Sequence, residues 1–406
     1  MKGSEKKVRS QKSKARSRSQ FSTELISLRN ENLLRKLTCI ESSDNSHIII
    51  DSRPYINFSS NDYLNLSNHP DIITAVITSV KKYGLGSGSS RLLSGTYTPH
   101  VKLEERIAKF KKTEAAIVFN TGYAANTGVI PAITGEDAVI FSDALNHASI
   151  VDGARMSKAE VSVFRHRDVN HLESLIKRVS KRKNVRRRLV ITDTVFSMDG
   201  DIAPLRDLTE LCERFDAILM IDDAHGTGVL GKTGRGGLEH FGIEPGNIIQ
   251  MGTLSKAAGC YGAFVAGSRE LIDLLVNKAR SFIYSTSLPP AVCAAGLKAI
   301  EIMEKRSTAL RKRLWDNTRH LQEGLDTLGL DTLGSETQIV PVMAGGVDNA
   351  HKLGRYLYDN WIFAPAIRSP TVPEGKCRIR FSVTAAHTAE DIDRTLECLE
   401  NFNLKY

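Results

Sequence analysis

From about residue 114 onward the chain carries short runs of consecutive apolar residues separated by helix-length segments. The runs Ala116–Phe119, Ala138–Phe141, Leu189–Thr192, Ala217–Ile221, Ile248–Met251 and Ala263–Ala266 read as strands buried on both faces. Such strands, alternating with helices, predict an α/β architecture with a mostly parallel sheet covered on both sides. Upstream, Ser22–Leu37 reads as a charged helix, followed by a polar linker and the strand His47–Ile50. Beyond Pro290 the texture changes to long helical stretches over Ala294–Leu328, strands at Gln338–Val342 and Arg378–Val383, and a last helix from Thr388. The predicted organisation is a tail over 1–20, an N-terminal helix and arm over 21–55, a large α/β domain over 56–290 and a smaller α+β domain over 291–406.

Charge changes this picture only at the N-terminus. The formal net charge is +9, but residues 1–18 hold eight Lys/Arg against Glu5, so the other 388 residues carry +2. A second basic run, Lys177 to Arg188, holds eight basic residues without an acid. Blocks of this kind serve as unstructured tails and solvated faces more often than as nucleic-acid contacts, so a nucleic-acid partner is not expected. The six cysteines never fall closer than 21 residues apart, which excludes a CxxC redox pair or zinc knuckle and leaves free thiols in a reducing compartment. No apolar stretch approaches a membrane span and the basic start lacks the apolar core of a signal peptide, so a cytoplasmic enzyme is expected.

Ligands of doubly wound sheets sit at the carboxyl ends of the strands, and four such ends are rich in polar groups. Ala217–Ile221 runs into Asp222-Asp223-Ala224-His225-Gly226, and an acid placed directly after a buried strand needs a cationic partner. Ile191–Val195 leads to Ser197-Met198-Asp199-Gly200-Asp201, and Ile140–Asp143 leads to Asn146-His147-Ala148-Ser149. Ile249–Gly252 leads to Thr253-Leu254-Ser255-Lys256, with small residues following that admit a planar ligand. A lysine held there, near Asp222 and His225, is a candidate for a lowered pKa and covalent chemistry with a carbonyl. Phe119 to Asn126 forms a strand, a glycine turn and a helix start, suited to a phosphate monoester.

Together these segments resemble the fold-type-I pyridoxal-phosphate enzymes, and among them the α-oxoamine synthases. The matching pieces run in order from Asn61-Asp62-Tyr63-Leu64 through Gly86–Gly95, Thr121–Asn126, His147-Ala148-Ser149, Ser197–Asp201, Asp222–Gly226 and Thr253–Lys256 to Tyr284-Ser285-Thr286. The resemblance implies a large, mostly parallel seven-stranded sheet domain, a smaller α+β C-terminal domain, pyridoxal 5'-phosphate as cofactor, no metal, and a homodimer with sites at the subunit interface. Ala366–Pro373, Arg378–Phe381 and Thr384–His387 resemble those members that condense L-alanine with a pimeloyl thioester, carried by coenzyme A or an acyl carrier protein, with loss of CO2.

By that resemblance Lys256 would hold the cofactor and move the substrate's Cα proton, while Asp222 would face the ring nitrogen and His147 would stack on the ring. His225 and Ser197 would bond near the ring's phenolic oxygen. Gly122, Tyr123 and Thr253 would hold the phosphate, with Ser285 or Thr286 reaching that of a partner subunit. Arg380 would bind the amino-acid carboxylate, Asn61 would line the substrate site, and Arg35 and Thr371 would contact the acyl substrate. A glycine-dependent ligase, a serine-using sphingoid-base synthase and an autoinducer synthase remain open, because they share the cofactor residues. So does a different class of function, nucleic-acid or carrier-protein binding through the basic tail.

Overall fold

The computed structural model describes residues 21–44 and 46–402; the basic tail falls outside them. Seven strands form the central sheet, in spatial order Ala115–Phe119, Ala263–Gly267, Ile249–Thr253, Ile218–Asp222, Arg187–Asp193, Ala138–Asp143 and Glu160–Phe164. Ala263–Gly267 runs antiparallel to both neighbours, and the remaining adjacent pairs are parallel. All six apolar runs become strands of this sheet. Glu160–Phe164 was not anticipated, because it is an edge strand whose first four residues are not buried and whose Glu-Val-Ser-Val-Phe sequence lacks a continuous apolar run.

Continuous apolar runs are needed here because helices cover both faces. Leu189 and Ile191 enter a cluster with Ala125, Ile130, Ile150 and Phe282 on one face. The intervening Val190 joins Phe164, Leu172, Leu208 and Leu219 on the other. A third cluster spans Phe58, Leu103, Leu254, Leu314, Leu353 and Ile392. It brings together the amino-terminal arm, the central sheet and the C-terminal helices.

The C-terminal region holds an antiparallel sheet of Ile339–Gly345, Cys377–Ser382 and Ala366–Ile367. The helical stretch expected over Ala294–Leu328 is two helices, Pro290–Lys305 and Thr308–Thr327. They part at Ser307, whose hydroxyl bonds the Met303 carbonyl and also accepts from Arg311. A small sheet ties the arm to this region: His47–Ile50 pairs with Arg53–Asn57, which pairs in parallel with Ile362–Phe363.

The helix expected over Ser22–Leu37 is helical only to residue 30. Asn32 takes a left-handed φ of 56° there, its side chain donates to Asp348, and its carbonyl accepts from Arg368. Contacts with the C-terminal region thus replace further helical turns. The second basic run spans the end of the helix Val169–Ser180 and the start of the next strand, where Lys177 pairs with Glu173 and Arg182 with Glu160. Among the described residues no helix is long and apolar enough to cross a membrane.

Candidate functional site

Four neighbouring strands of the sheet deliver acids, histidines and a lysine to one place. Ile218–Asp222 ends on Asp222, which is 3% exposed. Its Oδ1 accepts from the Ala224 N–H at 3.1 Å and its Oδ2 from Asn126 Nδ2 at 2.8 Å. The adjacent acid faces elsewhere: Asp223 Oδ2 is 2.7 Å from Lys111 Nζ, and both side chains are buried. Of the two consecutive acids, Asp222 is therefore the one without a salt bridge among the described residues.

Asn126 lies in the helix Gly122–Ile133, whose N-cap Thr121 accepts from the Ala124 N–H at 3.0 Å. The N–H groups of Gly122 and Tyr123, in the first turn, have no carbonyl four residues earlier within the helix. Asn126 Nδ2 also donates to Ser149 Oγ at 2.9 Å, and that hydroxyl is 2.7 Å from His147 Nδ1. His147 caps its own helix, Nδ1 accepting from the Ser149 N–H, so the hydrogen of the neutral ring sits on Nε2. Burial lowers the His147 pKa, partly opposed by the charge of Asp222. The His147 N–H donates to Asp193 Oδ2 at 2.7 Å, and Asp193 stands beside Asp222 in the strand register. Burial and then the Asp222 charge push the Asp193 carboxyl well above the usual carboxylate range.

Lys256 follows the strand Ile249–Thr253. Its Nζ is 2.9 Å from His225 Nε2, and His225 Nδ1 is 2.6 Å from the Tyr63 hydroxyl. Burial lowers the Lys256 pKa to about 8; the charges of Asp222 and Asp193 oppose that shift and Arg380 adds to it. Arg380, on the strand Cys377–Ser382, donates to Ser197 O at 3.1 Å, Asn61 Oδ1 at 3.0 Å and Ser382 Oγ at 3.1 Å. A guanidinium already oriented by three acceptors presents its remaining N–H groups in a fixed direction.

One hydrogen-bonded network thus holds Lys256, His225, Asn61, Arg380 and the Ser197 carbonyl. A second holds Asp222 and His147 through Asn126 and Ser149. Thr253 is buried and its hydroxyl is occupied by the Gly262 carbonyl and Ser255, which leaves Ser255 as the exposed hydroxyl of that turn. Thr286 bridges to Ser90, and its carbonyl accepts from Asn120, next to the helix start at Thr121. Ser285 lines the cavity that contains Asn120. Tyr123 is exposed and its hydroxyl bonds Asp152. Arg35 and Thr371 stand apart: Arg35 donates to Ser369 O at 3.4 Å and the Thr371 N–H to Arg368 O, with no hydrogen bond to the Lys256 network among the described residues.

Sequence reasoning gave no role to Tyr63, Asn126, Ser149, Asp193 or Gln338, whose Nε2 donates to the His225 carbonyl at 3.0 Å. Tyr63 and Asn126 lie inside quoted segments, and Asp193 ends an apolar run; those positions were the available signals.

The donor set fits pyridoxal phosphate. It offers an amine of lowered pKa and, among the described residues, a buried acid without a salt bridge and a helix start whose first N–H groups have no carbonyl partner within the helix. A Cβ at Gly122 would come within 3.1 Å of Met251 Cε, the mobile end of that side chain. Among the described residues no group of three or more His, Cys, Asp or Glu is arranged to hold a metal ion.

The family profile described as aminotransferase class I and II matches residues 53–399. An 8-amino-7-oxononanoate synthase from Geotalea daltonii is 50% identical over 386 residues, 95% of this chain and 98% of the relative. One from Geobacter sulfurreducens is 47% identical over 93% of this chain and 96% of its own. Among solved structures, serine palmitoyltransferase from S. paucimobilis with PLP and myriocin bound superposes with a TM-score of 0.88, at 32% identity over 94% of this chain and 96% of that one. An 8-amino-7-oxononanoate synthase from Francisella tularensis gives 0.73 at 29% identity, covering 85% of this chain and 97% of its own. The chain therefore belongs to the aminotransferase class I and II family, with the fold and the pyridoxal-phosphate dependence that its sequence segments implied.

Proposed function

We propose that the chain condenses L-alanine with a pimeloyl thioester of coenzyme A or an acyl carrier protein, releasing CO2 and the free thiol and yielding 8-amino-7-oxononanoate for biotin synthesis. The observation that carries this reading is the 50% identity, over nearly the whole length of both chains, to a relative of that name. The site chemistry is consistent with it. Serine palmitoyltransferases share the fold, but the matched ones are 31–33% identical.

When bound, pyridoxal phosphate supplies an electron sink for negative charge at the amino-acid Cα. Lys256 Nζ would hold the group and then move the Cα proton, a task suited to an amine that titrates at about 8. Asp222 would keep a proton on the ring nitrogen, and its donors Asn126 and Ala224 hold the carboxylate in place. His147 would cover one ring face with its Nε2–H turned to the substrate. His225 and Ser197 would bind near the phenolic oxygen. The N–H groups of Gly122 and Tyr123 would hold the phosphate, and Thr253, whose own hydroxyl is taken by Gly262 and Ser255, would contribute by holding the exposed Ser255 hydroxyl toward it.

Arg380 would bind the alanine carboxylate beside Asn61, fixing the orientation of the Cα–H bond. Arg35 and Thr371, far from this network by bonding, would contact the distal acyl chain. Exposed apolar side chains at Leu85, Leu92, Leu93 and Tyr284, near Ser285 and Thr286, support a homodimer in which either hydroxyl reaches the partner's phosphate. The units 21–55, 56–290 and 291–406 remain the proposed division, and the cytoplasm the proposed compartment.

Purified chain is to be assayed with L-alanine, glycine and L-serine against pimeloyl-, acetyl- and palmitoyl-CoA, with the products identified by mass. Turnover with alanine and pimeloyl-CoA is expected. Appreciable turnover with glycine and acetyl-CoA alone would overturn the reading.

A further inference from the structure

Tyr63 is completely buried, follows the arm strand Arg53–Asn57, and has no role in the chemistry described so far. Its hydroxyl lies between Asn61 Oδ1 at 3.1 Å and His225 Nδ1 at 2.6 Å, and its oxygen also accepts from the Gln338 side chain, which is compatible with the order below. The same Asn61 atom is 3.0 Å from Arg380 Nη2, and the other nitrogen of His225 is 2.9 Å from Lys256 Nζ. Five side chains thus form one chain running from the lysine amine to the arginine.

The hydrogens of that chain have one order without opposed acceptors. A guanidinium only donates, so the Asn61 atom it meets is the carbonyl oxygen. An oxygen that accepts from Arg380 also accepts from Tyr63, because the reverse order would face two bare oxygens across 3.1 Å. Burial pushes the Tyr63 phenol up to about 12, so it keeps its single hydrogen, and that hydrogen goes to Asn61. Toward His225 the phenol oxygen must then accept. Burial, followed by the charges of Lys256 and Arg380, holds the His225 pKa well below its ordinary value, and the neutral ring has one N–H to give. That N–H is Nδ1–H, which leaves Nε2 bare to accept from Lys256.

We propose that Tyr63 is a positioning residue: its hydroxyl, oriented by Asn61 and Arg380, fixes His225 in the Nδ1–H tautomer and so sets a bare imidazole nitrogen against the Lys256 amine. This deepens the site reading above and rests on Lys256 being the reactive amine. A bare Nε2 accepts more strongly from an ammonium than from a neutral amine and so stabilises the charge; an Nε2–H would instead favour the uncharged amine. The tautomer therefore determines where Lys256 titrates, and with it the fraction of amine able to take a proton. A phenylalanine at 63 has the same ring but neither accepts nor donates, so Nδ1–H would lose its partner and the hydrogen would move to Nε2.

The test uses the full chain labelled with 15N-histidine and freed of pyridoxal phosphate with hydroxylamine, so that the Lys256 amine is available, with His225→Gln to identify the resonance. Two-bond 15N–1H couplings report the tautomer, and the pH dependence of Lys256 acetylation, followed by peptide mass, reports the amine. Wild type is expected to show the Nδ1–H pattern, with half-maximal Lys256 reactivity near the pKa of about 8. Tyr63→Phe is expected to show the Nε2–H pattern and a Lys256 midpoint lower by about one pH unit, the loss of a charged hydrogen bond expressed as a shift. If Tyr63→Phe does not fold, Asn61→Leu serves instead, since it frees the phenol hydrogen to turn toward Nδ1 and predicts the same two changes. An Nε2–H pattern in wild type, or an unmoved tautomer and midpoint in the variants, overturns the proposal. Neither readout uses an acyl substrate, so an error in the alanine and pimeloyl assignment would leave these results standing.

Discussion

Replacing Lys111 by methionine removes a buried cation while keeping an unbranched side chain in its channel. Nζ of Lys111 donates to Asp223 Oδ2 at 2.7 Å, Thr227 Oγ1 at 2.8 Å and the Arg235 carbonyl at 2.6 Å. The two charged side chains are 0% and 1% exposed. After substitution, Asp223 keeps the Gly237 N–H at 3.0 Å and the Thr227 hydroxyl at 2.9 Å, too little for an anion out of reach of water. Deleting one partner of a buried pair costs about 3–5 kcal/mol, and the Arg235 carbonyl, deprived of its lysine donor, places this variant toward the upper end. The double variant Lys111→Met/Asp223→Asn removes the stranded charge and restores a donor for Arg235 or Thr227. It is expected to recover at least about half of that loss. Equilibrium unfolding in urea at fixed protein concentration, followed by circular dichroism, measures both. Because Asp223 points away from Asp222, the folded single variant should still bind cofactor. A cost below about 1 kcal/mol, or a double variant no better than the single, would refute the reasoning.

Three further outcomes follow from other parts of the structure. His166 bonds Asp143 at 2.9 Å and Asp201 at 2.8 Å, and although burial opposes its charge, these two acids push its pKa up to about 9. Raised from an unfolded value of about 6.5, it contributes stability that is complete below that pH and lost as pH rises through about 9. Melting temperatures from pH 6 to 10 should therefore fall less steeply in His166→Gln than in wild type, and parallel curves would count against the pair. Arg380→Lys cannot serve Ser197 O, Asn61 and Ser382 while gripping a carboxylate with two prongs, so the KM for the amino acid should rise roughly tenfold or more, with kcat changed less. Gly259, at φ +63°, donates its N–H to the Lys256 carbonyl, and a Cβ there would fall 2.3 Å from the Ser67 nitrogen. Gly259→Ala should lower the melting temperature by several degrees and weaken cofactor retention, and an unchanged variant would contradict the packing.

What the sequence made legible follows from physics that is local in the chain. Buried strands declare themselves as apolar runs, and polar residues just past them, such as Asp222 and Lys256, stand at carboxyl ends whatever the helices do. Half-exposed strands such as Glu160–Phe164 carry no such run. Tyr63 and His225 are 162 positions apart, and Asn126 and Asp222 are 96 apart; no spacing rule in one chain relates them. The orientation of Asp223 was hidden for the same reason, since its partner Lys111 lies 112 residues upstream. The helix from residue 21 ended early because of a tertiary contact, the Asp348 and Arg368 bonds to Asn32, which no periodicity records.

The account depends most on the cofactor being joined to the amine at position 256. Borohydride reduction of the purified, yellow chain, followed by peptide mass mapping, tests this directly. The account predicts the mass of one reduced pyridoxal phosphate on the peptide containing Lys256, and its loss in Lys256→Arg together with activity. A label on another lysine, or a colourless chain that turns over substrates without the cofactor, would contradict it.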